Sequence, residues 1–174
     1  MEKSKNIHIY AGLGTLVLVL GTAFLIDKLL SKNKNKINVK EVDNIDYSVF
    51  DSPDAPGSGK CIDRGLVAML LQLEQKTGYP IFEWINSGVR TPFWNSKVGG
   101  VANSSHLIPT CKAVDLKAAN TTIRNNLVMA AYQVGFKRIG VANTFVHLDV
   151  DTNKTQYVAW GYPAGTKPPI NPFE

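Results

Sequence analysis

Cysteine is nearly absent from the sequence. Cys61 and Cys111 are the only two, and they lie far apart with no CxxC pair. That excludes a thiolate zinc knuckle. The pair either closes one disulfide in an oxidising compartment or stands as two thiols. Histidine is almost as scarce, with three in 174 residues. No internal repeat is visible. The folded part also lacks excess charge. The chain carries a formal net charge of +5, but residues 1–40 hold seven Lys against two acids, and the remainder is balanced. A nucleic-acid binder concentrates basic charge on its folded domain, so nucleic acid is not expected as a partner. The lysines instead flank an apolar segment, where they can meet anionic lipid headgroups.

That segment, IYAGLGTLVLVLGTAFLI at residues 9–26, holds no formal charge. About twenty apolar residues span a bilayer core, and Leu29 and Leu30 extend the run. Backbone groups in lipid must bond internally, so one transmembrane helix is expected over 9–30. A cleaved signal peptide, cut near Gly21-Thr22-Ala23, is the rival. The length of the run favours an uncleaved, single-pass anchor. Residues 1–8 form a polar leader, in which His8 sits at the interface. Residues 31–49, rich in Asn and Lys, read as a flexible linker. The turn-rich DSPDAPGSGK at 51–60 marks the domain entrance.

An apolar content of 44% suits one domain with a buried core. The domain is expected over 50–162. Leu66, Val67, Leu70, Leu71 and Leu73 give a helix over 63–76, stopped by Gly78 and Pro80. Residues 81–86 read as a strand. A second helix is expected over 122–134, capped by Asn120 or Thr121 and closed by Gly135. Its inward face is Ile123, Leu127, Ala130, Ala131 and Val134. Short β runs follow at 138–141, 145–150 and 156–160. From Tyr162 the sequence turns Pro-rich, and residues 163–174 read as an extended or disordered tail. Helices mixed with late hairpins argue for an α+β fold.

The two remaining histidines lie in dense patterns, SSHLIPTCKAVDL at 104–116 and NTFVHLDVD at 143–151. Without thiolates, zinc takes imidazole nitrogen and carboxylate oxygen, and a catalytic site uses three protein ligands. His106, Asp115 and His147 supply that set. Asp115 follows Ala113-Val114, and a carboxylate in apolar company needs a partner. Alternation along 145–150 puts Phe145, His147 and Asp149 on one face and Val146, Leu148 and Val150 on the other. Gly99 and Gly100 suit a turn closed to larger residues. Trp84, Trp94 and Trp160 read as core or cleft wall rather than a carbohydrate platform.

Residues 85–116, INSGVRTPFWNSKVGGVANSSHLIPTCKAVDL, resemble the peptidase M15 family of zinc D-Ala-D-Ala carboxypeptidases and L,D-endopeptidases. The matching pieces are Ser87-Gly88-Val89-Arg90, Asn95, Val98-Gly99-Gly100, Ser104-Ser105-His106, Ala113-Val114-Asp115 and Phe145-Val146-His147-Leu148-Asp149, in the family's order. The resemblance covers roughly residues 50–160. It implies a Hedgehog/DD-peptidase-like fold with a small antiparallel sheet and flanking helices. It also implies Zn2+ held by His106, Asp115 and His147, and a peptidoglycan stem peptide as substrate. Arg90 matches the arginine that steadies substrate or developing charge, and Ser104 the serine that bonds site backbone or substrate. Sequences of this shape are common among phage lysis and virion-associated enzymes.

Two departures stand out. Eight residues separate His106 from Asp115, a longer interval than the family's usual one. The extra chain lies around Pro109-Thr110-Cys111, and it brings Cys111 near the ligands. Many members place an acid three residues before the last His, where this chain has Thr144. Asp149 is the nearest replacement, as general base or as the group that orients the His147 imidazole. Asp151 is a weaker candidate. The resemblance demands the cell-wall side of the membrane. Yet Lys28, Lys32, Lys34, Lys36 and Lys40 follow the apolar run, and only Lys3 and Lys5 precede it. The positive-inside rule would put the domain in the cytoplasm, so either the rule fails here or the membrane is an unusual one, such as that of a virus particle.

Overall fold

The computed structural model describes residues 37–174. The transmembrane expectation for 9–30, the leader 1–8 and residues 31–36 of the linker lie outside the described residues. Among the described residues no helix is long and apolar enough to cross a membrane. Residues 37–49, the end of the expected linker, are ordered instead. Asn38 and Glu41 form a reciprocal capping box that starts α1, Val39–Asp43. A 3-10 turn, Tyr47–Phe50, follows and buries Phe50 fully.

The first long helix, α2, spans Arg64–Thr77. The Asp63 carboxylate accepts from the Leu66 N–H at its start, and Gly78 ends it at φ 69°. Leu66, Val67, Leu70 and Leu73 form the buried stripe. A short helix that the sequence reading missed, α3 at Pro92–Lys97, begins with Thr91 as cap and Pro92 in its first turn. Pro fits there because the first N–H groups of a helix have no internal partner. Helix α4, Thr121–Val134, is capped by the Asn120 side chain and closed by Gly135 at φ 111°. Val128 joins the expected Leu127, Ala130 and Ala131 in its buried face.

Five strands form one sheet in the order β1-β2-β4-β3-β5, comprising β1 Ile85–Ser87, β2 Ala113–Lys117, β3 Arg138–Val141, β4 Phe145–Asp149 and β5 Val158–Gly161. The expected strand at 81–86 is displaced. Pro80 opens a turn in which Glu83 and Trp84 bond back to its carbonyl, so pairing begins only at Ile85. The expected antiparallel sheet is a mixed one, because β5 pairs parallel to β3. β4 already has β2 on one side and β3 on the other. Its last residue, Asp149, lies beside the first residue of β3, Arg138. The returning chain reaches the free edge of β3 from that same end and runs alongside it.

The sheet has two unlike faces. Val114, Leu116, Ile139, Val141, Val146 and Leu148 are all fully buried. They share the alternation set that faces α4, which in turn packs on α2. The other set carries Asp115, His147, Asp149, Arg138, Gly140 and Trp160. The tail 163–174 adds no helix or strand, but Phe173 seats edge-on against Tyr132 of α4, with ring centroids 5.5 Å apart.

Candidate metal centre

Antiparallel pairing of β2 and β4 sets Asp115 directly opposite His147. His106 arrives from the loop before β2, and that loop is tied down on several sides. The Arg90 N–H donates to the His106 carbonyl at 2.8 Å, and the Ser104 hydroxyl accepts from the His106 N–H at 3.3 Å. All three side chains are buried, and all three line a cleft of about 790 Å³.

One ligand atom from each converges within 4.8 Å. His106 Nε2 stands 3.1 Å from His147 Nδ1 and 3.3 Å from Asp115 Oδ1, and His147 Nδ1 stands 2.8 Å from Asp115 Oδ1. Tetrahedral ligands about 2.0–2.1 Å from zinc lie about 3.3 Å from each other. The observed triangle therefore fits the group with little movement. The outer atoms fit as well. His106 Nδ1 donates to the Gly88 carbonyl at 2.5 Å, which leaves Nε2 with its lone pair. His147 Nε2 faces Asp149 Oδ2 at 3.1 Å, which leaves Nδ1 for a metal. Asp115 Oδ2 accepts from Arg90 at 2.5 Å, which leaves Oδ1.

Electrostatics reinforce this assignment. Burial pushes the Asp115 carboxyl up, but the charges and hydrogen bonds of His106 and His147 hold it well below the usual carboxylate range. Desolvation keeps His106 below its ordinary value despite the pull of Asp115. His147 is also driven down by burial, yet its bonds to Asp115 and Asp149 outweigh that and raise it. Asp115 is thus held as a carboxylate, and the two imidazoles are pushed in opposite directions.

The other expected residues take definite places. Arg90 donates from Nε to the Ser87 hydroxyl at 2.8 Å and clamps Asp115, so it steadies a ligand carboxylate directly. Ser104 bonds site backbone and lines the cleft. Asp149 lies behind the His147 ring, on the nitrogen turned away from the ligand triangle. Its other oxygen accepts from Arg138 Nε at 2.8 Å and from the Asp151 N–H at 3.0 Å. Asp151 in turn takes the Ser105 hydroxyl at 3.2 Å. Thr144 is exposed in the turn between β3 and β4. Cys111 is not a ligand, because its sulfur is bonded to Cys61.

The sequence reading missed Arg138 and Tyr162. Arg138 is buried inside a four-residue apolar strand, and a cation there requires an acceptor. That mismatch was the available signal. Trp160, read as core or cleft wall, lines the cleft with its ring centroid 5.3 Å from that of His147.

Two imidazoles and one carboxylate, with their remaining heteroatoms pinned and a cleft in front, form a candidate metal site on an α+β scaffold. The family model described as Peptidase M15 matches residues 40–149, and the chain belongs to that peptidase family. No curated protein matches the chain.

Proposed function

We propose that this chain is a zinc-dependent peptidase that hydrolyses amide bonds in peptidoglycan stem peptides, on the Hedgehog/DD-peptidase-like fold its family implies. The observation that carries this reading is the triangle of His106 Nε2, Asp115 Oδ1 and His147 Nδ1 at the floor of the cleft. Zinc held there would supply a water activated near neutral pH and a Lewis acid for the scissile carbonyl. Arg90 holds Asp115 in its ligating rotamer and puts a guanidinium on the cleft wall, where it suits a carboxylate of the peptide. Asp149 fixes the tautomer of His147. With one oxygen on that imidazole and the other on Arg138 and Asp151, it orients a ligand and is not placed to take a proton from water.

A second reading keeps the fold and the metal and loses hydrolysis. Thr144 in the usual acid position and the engaged Asp149 favour it. Incubating the full chain with muropeptides, with and without a chelator, separates the two by mass spectrometry. Chelator-sensitive loss of a terminal residue marks a carboxypeptidase, and two peptide fragments mark an endopeptidase. Retained zinc with unaltered muropeptides would sink the enzyme reading.

The same proposal tethers the domain to a membrane through residues 9–30, on the cell-wall side. The Cys61–Cys111 disulfide fits an oxidising compartment and argues against the orientation suggested by the flanking lysines. Protease protection of the domain in intact cells would overturn this placement.

A further inference from the structure

The wall of the cleft beyond β4 is aromatic and belongs to a part of the chain past residue 149, outside the segment that matches the family. Its position follows from register. His147 on β4 pairs with Gly140 on β3, and Gly140 pairs with Trp160 on β5. These residues, with Asp115, form one cross-strand row on the metal-side face. Gly140 is the gap in that row. A Cβ there would lie 2.8 Å from Tyr162 Cε2 and 2.9 Å from Trp160 Cε2 and Nε1. Both rings therefore lie over the glycine, and Trp160 also packs beside His147. Phe145 backs Tyr162 from below, with ring centroids 4.8 Å apart.

We propose that Tyr162 is a catalytic residue whose phenol O–H donates to the carbonyl oxygen of the substrate as negative charge develops on it. This rests on the peptidase reading above and names a group in the same site. Tyr162 is partly exposed and lines the same cleft as Arg90 and the three ligands. Trp160 Nε1 lies over the same glycine as the Tyr162 ring, and an indole N–H only donates, so it cannot take the phenol proton. Burial pushes the phenol up to about 12, so the O–H is retained at neutral pH. Tyr162 keeps its proton throughout. It makes a hydrogen bond that strengthens with the charge, which is the differential interaction that lowers a barrier.

The test uses the zinc-loaded full chain and Tyr162→Phe, which keeps the ring and its packing on Phe145. Zinc content and thermal midpoint should match the parent. Removing one such donor costs roughly 100- to 1000-fold in kcat, with KM changed little. Affinity for an alanyl phosphinate dipeptide, whose tetrahedral oxygens copy the charge, should fall by a similar factor in calorimetry. Gly140→Ala displaces both rings and should reproduce the loss with zinc retained. Tyr162→Phe that keeps phosphinate affinity within about 2-fold overturns the proposal, since a lost donor cannot be silent there. A parent chain that binds the phosphinate but leaves muropeptides intact overturns the peptidase reading instead. The variant's affinity still decides the role of Tyr162 in that case. A parent chain that binds no phosphinate overturns the assignment of Tyr162.

Discussion

The two faces of β4 obey one alternation and solve opposite problems. Val146 and Leu148 point to the helices and are stabilised by shape and exclusion of water. His147 and Asp149 point the other way and are also buried. Their desolvation is offset only because each polar atom meets a partner, along a chain from Arg90 through Asp115, His147 and Asp149 to Arg138. The apolar face can absorb a changed volume at a graded cost. The polar face cannot lose a partner without leaving a buried group uncompensated.

Breaking the polar face at a ligand should have the largest effect. His106→Ala removes one of three donors, so bound zinc should fall to background and hydrolysis should cease, measured by metal analysis and the muropeptide assay. Zinc retained at one ion per chain would show that the triangle is not the site. On the opposite face, Leu148→Ala should cost about 2–5 kcal/mol in denaturant unfolding. The molecules that remain folded should still bind zinc, so a proportionate loss of zinc would erase the contrast between the faces.

The disulfide is a third kind of constraint, fastening the long loop between His106 and Asp115 to the chain before α2. It closes a separation of 50 residues. Cys61→Ser with Cys111→Ser should therefore cost about 4 kcal/mol by the loop-entropy relation. Equal unfolding midpoints in denaturant with and without a reductant would contradict this.

Asp149→Asn tests orientation at one remove from the metal. Zinc affinity should drop roughly 10- to 100-fold, read by competition with a chromophoric chelator. The pH dependence of the metal-free protein sharpens the same point. Burial raises Asp149, but its bond to His147 and the charges of His147 and Arg138 bring it below its ordinary 3.8. A carboxylate depressed on folding contributes stability that is fully present above 3.8 and lost as pH falls through the folded value. The acid limb of the stability curve should therefore be shallower in Asp149→Asn. An unchanged limb would mean that the pairing carries no weight.

The smallest effect belongs to neither face. Arg64 pairs with Asp43 at the surface, where both side chains are more than half exposed. Arg64→Ala should change stability by less than about 1 kcal/mol. A larger loss would mean that α1 is held to α2 more firmly than its exposure indicates.

Much of the fold was legible because local signals carried it. The run at 138–141 matches β3 residue for residue, α2 is shifted by one residue at each end, and α4 starts one residue earlier than expected. Caps and left-handed glycines are written in neighbouring residues. The alternation around His147 correctly joined it to Asp149. The parallel placement of β5 was not legible, since a strand's pattern names its buried face and not its neighbour. The order of the linker's last residues was hidden too, because the polar run ends at Phe50, whose burial depends on segments far along the chain. The burial of Arg138 was explained only by an acceptor eleven residues further on.

By itself the sequence determined which residues could bind a metal, because few donors exist and their spacing and flanking motifs are local. It also determined which way each strand and helix turns its apolar side, since that is periodicity. Tertiary structure alone decided how those donors are used. Strand register set Asp115 against His147 and turned Nδ1 rather than Nε2 toward it. The same register put Asp149 behind the ring, closed Cys111 onto Cys61, and brought Tyr162 over Gly140. Each of these is a contact between distant residues, and such contacts form only when backbone pairing fixes positions that no local pattern encodes.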